Sequence, residues 1–265
     1  MGGLGSKSSS SLEERLQNAQ ATGRLRLLRG ENFELVLAKP ELKNLKAIDL
    51  SNCHLSELPK PIGNNITKLQ QLKLNDNPEL AGLPLEIFTL KDLRKLDCGN
   101  CRALGWLERL PDNVEHLVLS GCGFQGMVEH PTLSLSPNLI YLDLSRNSKL
   151  EGFGKAFGFE VMRHRLVELN LSDNPNLQDL PQEIQLLAKL LILKLENCPK
   201  ITTLPSGLFT HTEVSRIELR GTGLTKQQFL QLDSVQLFMD RRKARLDREI
   251  AGGLTKVDTS VCGLD

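Results

Sequence analysis

Residues 45–55 read LKAIDLSNCHL. Apolar side chains stand at the first, fourth, sixth and last places (Leu45, Ile48, Leu50, Leu55), with Cys53 at the ninth. The same pattern returns down the chain. Leu69, Leu72, Leu74, Asn77 and Leu80 carry it with one residue added before the last leucine. It continues as Leu93, Leu96, Cys98, Cys101, Leu104, then Val114, Leu117, Leu119, Cys122, Phe124. Leu139, Leu142, Leu144, Asn147, Leu150 follow, then Leu166, Leu169, Leu171, Asn174, Leu177, then Leu190, Leu193, Leu195, Cys198, Ile201. An eighth copy, Val214, Ile217, Leu219, Leu224, has Thr222 at the ninth place. Successive copies start 21 to 27 residues apart, inside the range of a stacked repeat of about 20–29 residues.

The pattern has a physical cause. Side chains alternate along a strand, so the fourth and sixth places of each copy point to one side. One copy cannot bury its own leucines, but stacked copies bury them against each other and line up their strands. Where the chain leaves the strand, at the ninth place, buried backbone groups need partners. Asn supplies two donors and an acceptor; Cys is small, apolar and a weak donor. Cys53, Asn77, Cys101, Cys122, Asn147, Asn174 and Cys198 are therefore expected to form a structural ladder. The expected fold is α/β: a leucine-rich-repeat solenoid (horseshoe) of about eight repeats, with a parallel sheet on the concave face and helical caps at both ends.

A solenoid needs caps to cover its end repeats. Leu12, Leu16 and Ala19 are spaced for one face of a helix, Thr22-Gly23 ends it, and Leu25 and Leu27 suggest a degenerate first strand. Phe229, Leu232, Val235 and Met239 recur at helical spacing, and the charged stretch from Asp240 to Glu249 is expected to project into solvent. The expected division is a flexible N-terminal tail at 1–11, the solenoid with its N-terminal cap at 12–225, a C-terminal capping helix at 226–250, and a loose tail at 251–265.

Composition excludes several classes. With 33 basic and 32 acidic residues the net charge is +1, so no basic excess points to nucleic acid. No apolar run approaches the roughly 18–20 residues that span a bilayer. Met1–Ser11 lacks the apolar core of a secretory signal. The expected location is cytoplasmic, partly at the cytosolic face of membranes, with six reduced cysteines.

Four motifs bear on chemistry. Gly2 and Ser6 match the N-myristoylation pattern M-G-x-x-x-[ST], on a tail of small residues. One myristoyl chain gives only weak, reversible membrane binding. Cys98-x-x-Cys101, with His116 and Cys122, invites comparison with a zinc site. The repeat register instead assigns Cys98 to an inward place and Cys101 and Cys122 to the ladder, so no metal is expected. Cys262 stands fourth from the end, but Asp265 is not a usual final residue for prenylation. No phosphate-binding glycine motif and no nucleophile–base constellation appears. Catalytic residues, cofactors and a small-molecule substrate are therefore not expected.

The concave side chains come from the second, third, fifth, seventh and eighth places. Most are polar with mixed sign. His116, Val118, Ile140, Tyr141, Val167, Leu191 and Ile192 form an apolar exception on neighbouring strands, and Tyr141 is the chain's one tyrosine. Interfaces favour aromatic anchors with a polar rim, so a partner protein is expected here.

The chain resembles the small myristoylated leucine-rich-repeat proteins. The resemblance is carried by the Met-Gly start, the Asn18–Gly23 stretch before the first strand, the number of repeats, and the C-terminal Arg241-Arg242-Lys243-Ala244-Arg245. It implies a lipid-anchored binding protein with no catalytic residues. The expected function is a scaffold or adaptor that binds a protein on its concave face and a membrane through a lipid. The alternative is a regulator that controls a partner enzyme through that face.

Overall fold

The computed structural model describes residues 10–105, 110–128, 137–154, 157–253 and 260–264. A helix, α1 (Leu12–Thr22), opens the chain. Ser11 caps it reciprocally with Glu14, and Gly23, at φ 69°, ends it in the left-handed conformation that glycine adopts at no steric cost. The strands are β1 (Arg24–Arg26), β2 (Ala47–Asp49), β3 (Gln71–Lys73), β4 (Lys95–Asp97), β5 (His116–Val118), β6 (Gln125–Val128), β7 (Tyr141–Asp143), β8 (Lys149–Phe153), β9 (Glu168–Asn170), β10 (Ile192–Lys194) and β11 (Arg216–Glu218). Short helices lie between them: α2 (Phe33–Leu37), α3 (Pro61–Asn65), α4 (Phe159–Met162) and α5 (Leu208–His211). After β11 come α6 (Lys226–Leu230) and α7 (Val235–Ala251).

Nine strands form one sheet in the order β1-β2-β3-β4-β5-β7-β9-β10-β11, every pair parallel. Eight of these carry the repeat pattern, and β1 is the cap strand around Leu25. Register is unbroken: Ile48, Leu72, Leu96, Leu117, Leu142, Leu169, Leu193 and Ile217 are mutual neighbours and all are buried. The sixth-place residues are buried with them, so one aliphatic core runs the length of the solenoid.

The eighth place of every repeat is left-handed: Asn52, Asp76, Asn100, Gly121, Arg146, Asp173, Asn197 and Gly221 have φ between 55° and 72°. Asn, Asp and Gly tolerate that conformation, which explains why they fill seven of the eight positions.

Four features at the margins depart from the simple picture of repeats and caps. The repeats between Gly121 and Arg165 add a second, two-stranded parallel sheet, β6 with β8. Beside it Phe153, Phe157 and Phe159 pack as a ring cluster at 4.6–5.9 Å between centroids, filling the core with aromatics where the leucine pattern lapses. The C-terminal cap over 226–250 is two helices, because Ser234 is left-handed at φ 59°. That break resets the helical phase, and Phe238 packs inward against Phe209 and Phe229.

The charged part of α7 does not simply project into solvent. Arg241 donates to the carbonyls of Phe209, Thr212 and Val214, and Arg245 to that of Ser215, so both guanidiniums satisfy backbone of the last repeat. Nor is 251–265 loose throughout. Over residues 260–264 the tail meets the chain just beyond β11: Leu219 N–H donates to Cys262 O at 2.8 Å, and Cys262 and Leu264 are buried. Elsewhere the sixth-place N–H meets a carbonyl of the next strand, as Leu195 N–H meets Glu218 O, and here Cys262 O supplies that acceptor.

Candidate functional site

The concave face stands on the ninth-place residues, which tie each repeat to the one before. Asn77 Nδ2 donates to Leu50 O and Leu74 O at 2.9 and 2.7 Å, while its Oδ1 accepts from the N–H groups of Cys53 and Leu55. Asn147 donates to Leu119 O and Leu144 O, and Asn174 to Leu144 O and Leu171 O. The cysteines act on the same carbonyls: Cys53 on Leu27 O, Cys101 on Leu74 O, Cys122 on Cys98 O and Cys198 on Leu171 O, at 3.1–3.5 Å from Sγ. Thr222 reaches only its own repeat, through Leu219 O.

Burial pushes these thiols up, Cys101 and Cys198 to about 11 and Cys122 to about 12, and Cys98 well above the ordinary thiol value. They are neutral donors at neutral pH, not thiolate ligands. Among the described residues no group of three or more His, Cys, Asp or Glu side chains is placed to hold a metal.

Half of the fifth column of the face has a structural duty. Asp49, Asp97, Asp143 and Asn170 each accept, through the side chain, the backbone N–H two residues on, at 2.9–3.1 Å. These groups pin the end of the strand through one side-chain oxygen each. The alternation of Asp or Asn with Ser or Gly two residues later was the available signal.

The residues expected to meet a partner fall on or directly before four adjacent strands, β5, β7, β9 and β10. His116 and Tyr141 are register neighbours on β5 and β7, with ring centroids 5.9 Å apart and planes inclined by 30°. Tyr141 Oη donates to Asp143 Oδ2 at 3.1 Å, and Asp143 Oδ1 accepts the N–H of Ser145. The hydroxyl is thus tethered and the ring is half-buried. Burial and the adjacent Asp143 carboxylate raise its hydroxyl above the usual tyrosine range. Partial burial, reinforced by Lys95, lowers His116, against the opposing pull of Glu115 and Glu168. The ring pair is therefore uncharged at neutral pH.

Ile140, Val167 and Leu191 occupy the second place of three successive repeats, and each is half-buried. They make a continuous apolar stripe beside Tyr141. Val118 adjoins at the fifth place of β5, register partner of Asp143. Ile192 is separated from Tyr141 by Glu168, which pairs with Lys194 at 2.6 Å. Beyond it Arg216 and Glu218 pair at 2.5 Å. The arrangement is an apolar strip with a self-neutralised charged rim. It offers shape and apolar area. Gly2 lies outside the described residues.

Known proteins place this geometry. A family model for the leucine-rich repeat matches residues 44–65. The chain is 29% identical over 187 residues to the protein SUPPRESSOR OF npr1-1, CONSTITUTIVE 1 of Arabidopsis thaliana, covering 69% of this chain and 12% of that one. Similar matches to Arabidopsis disease resistance proteins span 10–16% of their length, so the chain corresponds to a small part of the curated relatives it matches. Among solved structures, the TLR13–ssRNA13 complex aligns at a TM-score of 0.59 and 28% identity, covering 76% of this chain and 29% of that one. Internalin C2 of Listeria monocytogenes aligns at 0.56 and 18%, covering 76% and 82%. Register, family match and structural neighbours agree: this chain is a leucine-rich-repeat solenoid, a fold whose members generally mediate protein–protein interactions.

Proposed function

We propose that the chain is a non-enzymatic scaffold or adaptor whose concave face receives a protein partner on the Tyr141 strip. The supporting observation is the unbroken row Ile140, Val167, Leu191 beside a tyrosine ring held in place by Asp143. Elsewhere the face is polar, and a fixed aromatic with adjoining apolar area is the usual anchor of an interface. The test is quantitative affinity capture with the wild type and with Tyr141→Ala/Val167→Asp, both shown to melt alike. The expected outcome is loss of the principal captured protein from the variant. An unchanged captured set refutes the reading.

We further propose that Gly2 carries myristate and that this tether is weak. Its support is the Gly2/Ser6 pattern on a tail of small residues ahead of α1. One acyl chain leaves the protein partitioned between cytosol and the cytosolic face of membranes. Gly2→Ala should shift it to the soluble fraction without changing its melting temperature. An intact mass lacking the acyl group after expression in eukaryotic cells refutes it.

A further inference from the structure

The other end of the concave face is charged in a way the chain does not neutralise. Ala47 is the smallest side chain in its column, set between Arg24 and Gln71 on the flanking strands. Two adjoining hollows of about 380 and 400 Å³ open over it, sharing Arg24, Ala47 and Gln71. Six cations line them: Arg26 and Arg94 are paired, with Asp49 and Glu115, whereas Arg24, Lys46, Lys73 and Lys95 have no carboxylate within ion-pair distance among the described residues, Asp97 meeting Lys73 only through the field. Of the acidic residues only Asp49 lines either hollow. It is already engaged by Ser51 N–H and lies 3.9 Å from Arg26.

This excess is local. The whole chain carries only +1, and the cations at the far end of the same face are paired, Lys194 with Glu168 and Arg216 with Glu218. Strands lie about 4.8 Å apart, so Lys46 and Lys95, two strands apart, repel within a Debye length of about 8–10 Å. Cations held this way on a concave wall attract an anionic ligand. No aromatic side chain projects from β1 to β4. A single-stranded nucleic acid would lack the stacking platforms that accompany a cationic track. Carboxylates need none.

The residues common to both hollows lie on β1, β2 and β3, and from β3, the nearest of these, Tyr141 on β7 is three strand steps away in the sheet. That is roughly 14 Å, or about four to five residues of extended chain. We propose that the trough takes a short run of acidic side chains from the partner, spaced four to five extended residues from the apolar side chain that sits at Tyr141. The inference rests on the concave-face reading above and names the chemistry of that partner.

The test uses synthetic fluorescent peptides and the full chain: four glutamates, a four-residue Gly-Ser spacer, then Phe-Leu, in both chain directions. Matching peptides carry four glutamines in place of the glutamates. Anisotropy is measured at low and physiological salt. The glutamate peptide should bind about tenfold tighter than the glutamine peptide at low salt, and the margin should shrink with added salt. Lys46→Glu/Lys95→Glu should erase that margin. Lys39→Glu/Lys43→Glu, an equal charge change between α2 and β2, should keep it. Tyr141→Ala/Val167→Ala, which changes no charge, should weaken both peptides by the same factor.

No margin in the wild type, or its loss in the Lys39/Lys43 control as well, overturns the trough. If both peptides still depend on Tyr141 in that case, the concave-face reading survives alone. A margin with no dependence on Tyr141 overturns the two-part recognition and the apolar-strip reading together. A twelve-nucleotide uridine RNA that binds tighter than the glutamate peptide assigns the trough to another ligand class and overturns the proposal.

Discussion

Asn174 Oδ1 accepts the backbone N–H of Asn147 at 2.8 Å, one repeat behind it, and both side chains are fully buried. This contact shows how the repeats are bound. Leucines supply the burial, while the ninth-place side chains close the hydrogen bonds that burial would leave open. In a stack where each repeat touches only its neighbours, the cost of a lost contact falls on one interface.

Asn147→Leu should therefore destabilise the chain by about 2–4 kcal/mol, since it strips donors from the carbonyls of Leu119 and Leu144 without returning them to water. Asn147→Cys should lose less, because cysteine fills the same place in four other repeats. Urea unfolding of the two variants decides this, and equal losses would contradict it.

Leu171→Asp should abolish cooperative folding. Leu171 is fully buried at a sixth place, and an aspartate there is an unpaired charge in an aliphatic core. Circular dichroism during heating should show no sigmoidal melt. A soluble variant with a wild-type transition would contradict the repeat register.

The buried thiols should make stability fall in alkali. Burial raises Cys101, Cys122 and Cys198 from about 9 to about 11–12, so the folded chain keeps protons that the unfolded chain gives up. Their contribution is intact below about pH 9 and is lost as pH rises through 11 to 12. Melting temperature should decline across that window, less steeply in Cys122→Ala than in the wild type. Alkylation of the native protein at neutral pH should be slow at these thiols and fast after denaturation.

The fold was legible because leucine spacing, strand alternation and the ninth-place residues all agree over eight copies. The margins were less so. Phe238 was hidden because the Ser234 break resets the phase on which a continuous helix from Phe229 to Met239 was read. The docked tail was hidden because pairing at a sheet edge uses backbone, which leaves no side-chain signature; Cys262 O meeting Leu219 N–H is such a contact. On the concave face the apolar strip could be picked out from column positions. The trough could not, because it depends on which cations lack partners, and pairings such as Arg94 with Glu115 at 3.5 Å exist only in three dimensions.

Arg241 is the lock of the C-terminal cap. Its guanidinium serves three carbonyls of the last repeat, and hydrogen bonds from charged groups are worth about 1.5–3 kcal/mol. Arg241→Met should keep the stem packed and lose those bonds. Amide exchange should accelerate in α7 and in residues 208–214 while the strands from β2 to β9 hold their protection. Exchange that rises uniformly along the chain, or does not rise at all, would contradict the assignment.

The central proposal is that the concave face receives the protein partner on the Tyr141 strip. A photo-crosslinking phenylalanine placed at Val118 or at Ile192, in separate full-length chains expressed in cells, tests it directly. Leu85, 79% exposed and between β3 and β4 in the chain, is the control position. Adducts of one common mass should form from Val118 and Ile192 and be missing from Leu85. Adducts from Leu85 alone, or unrelated adducts from the two concave positions, would contradict the account.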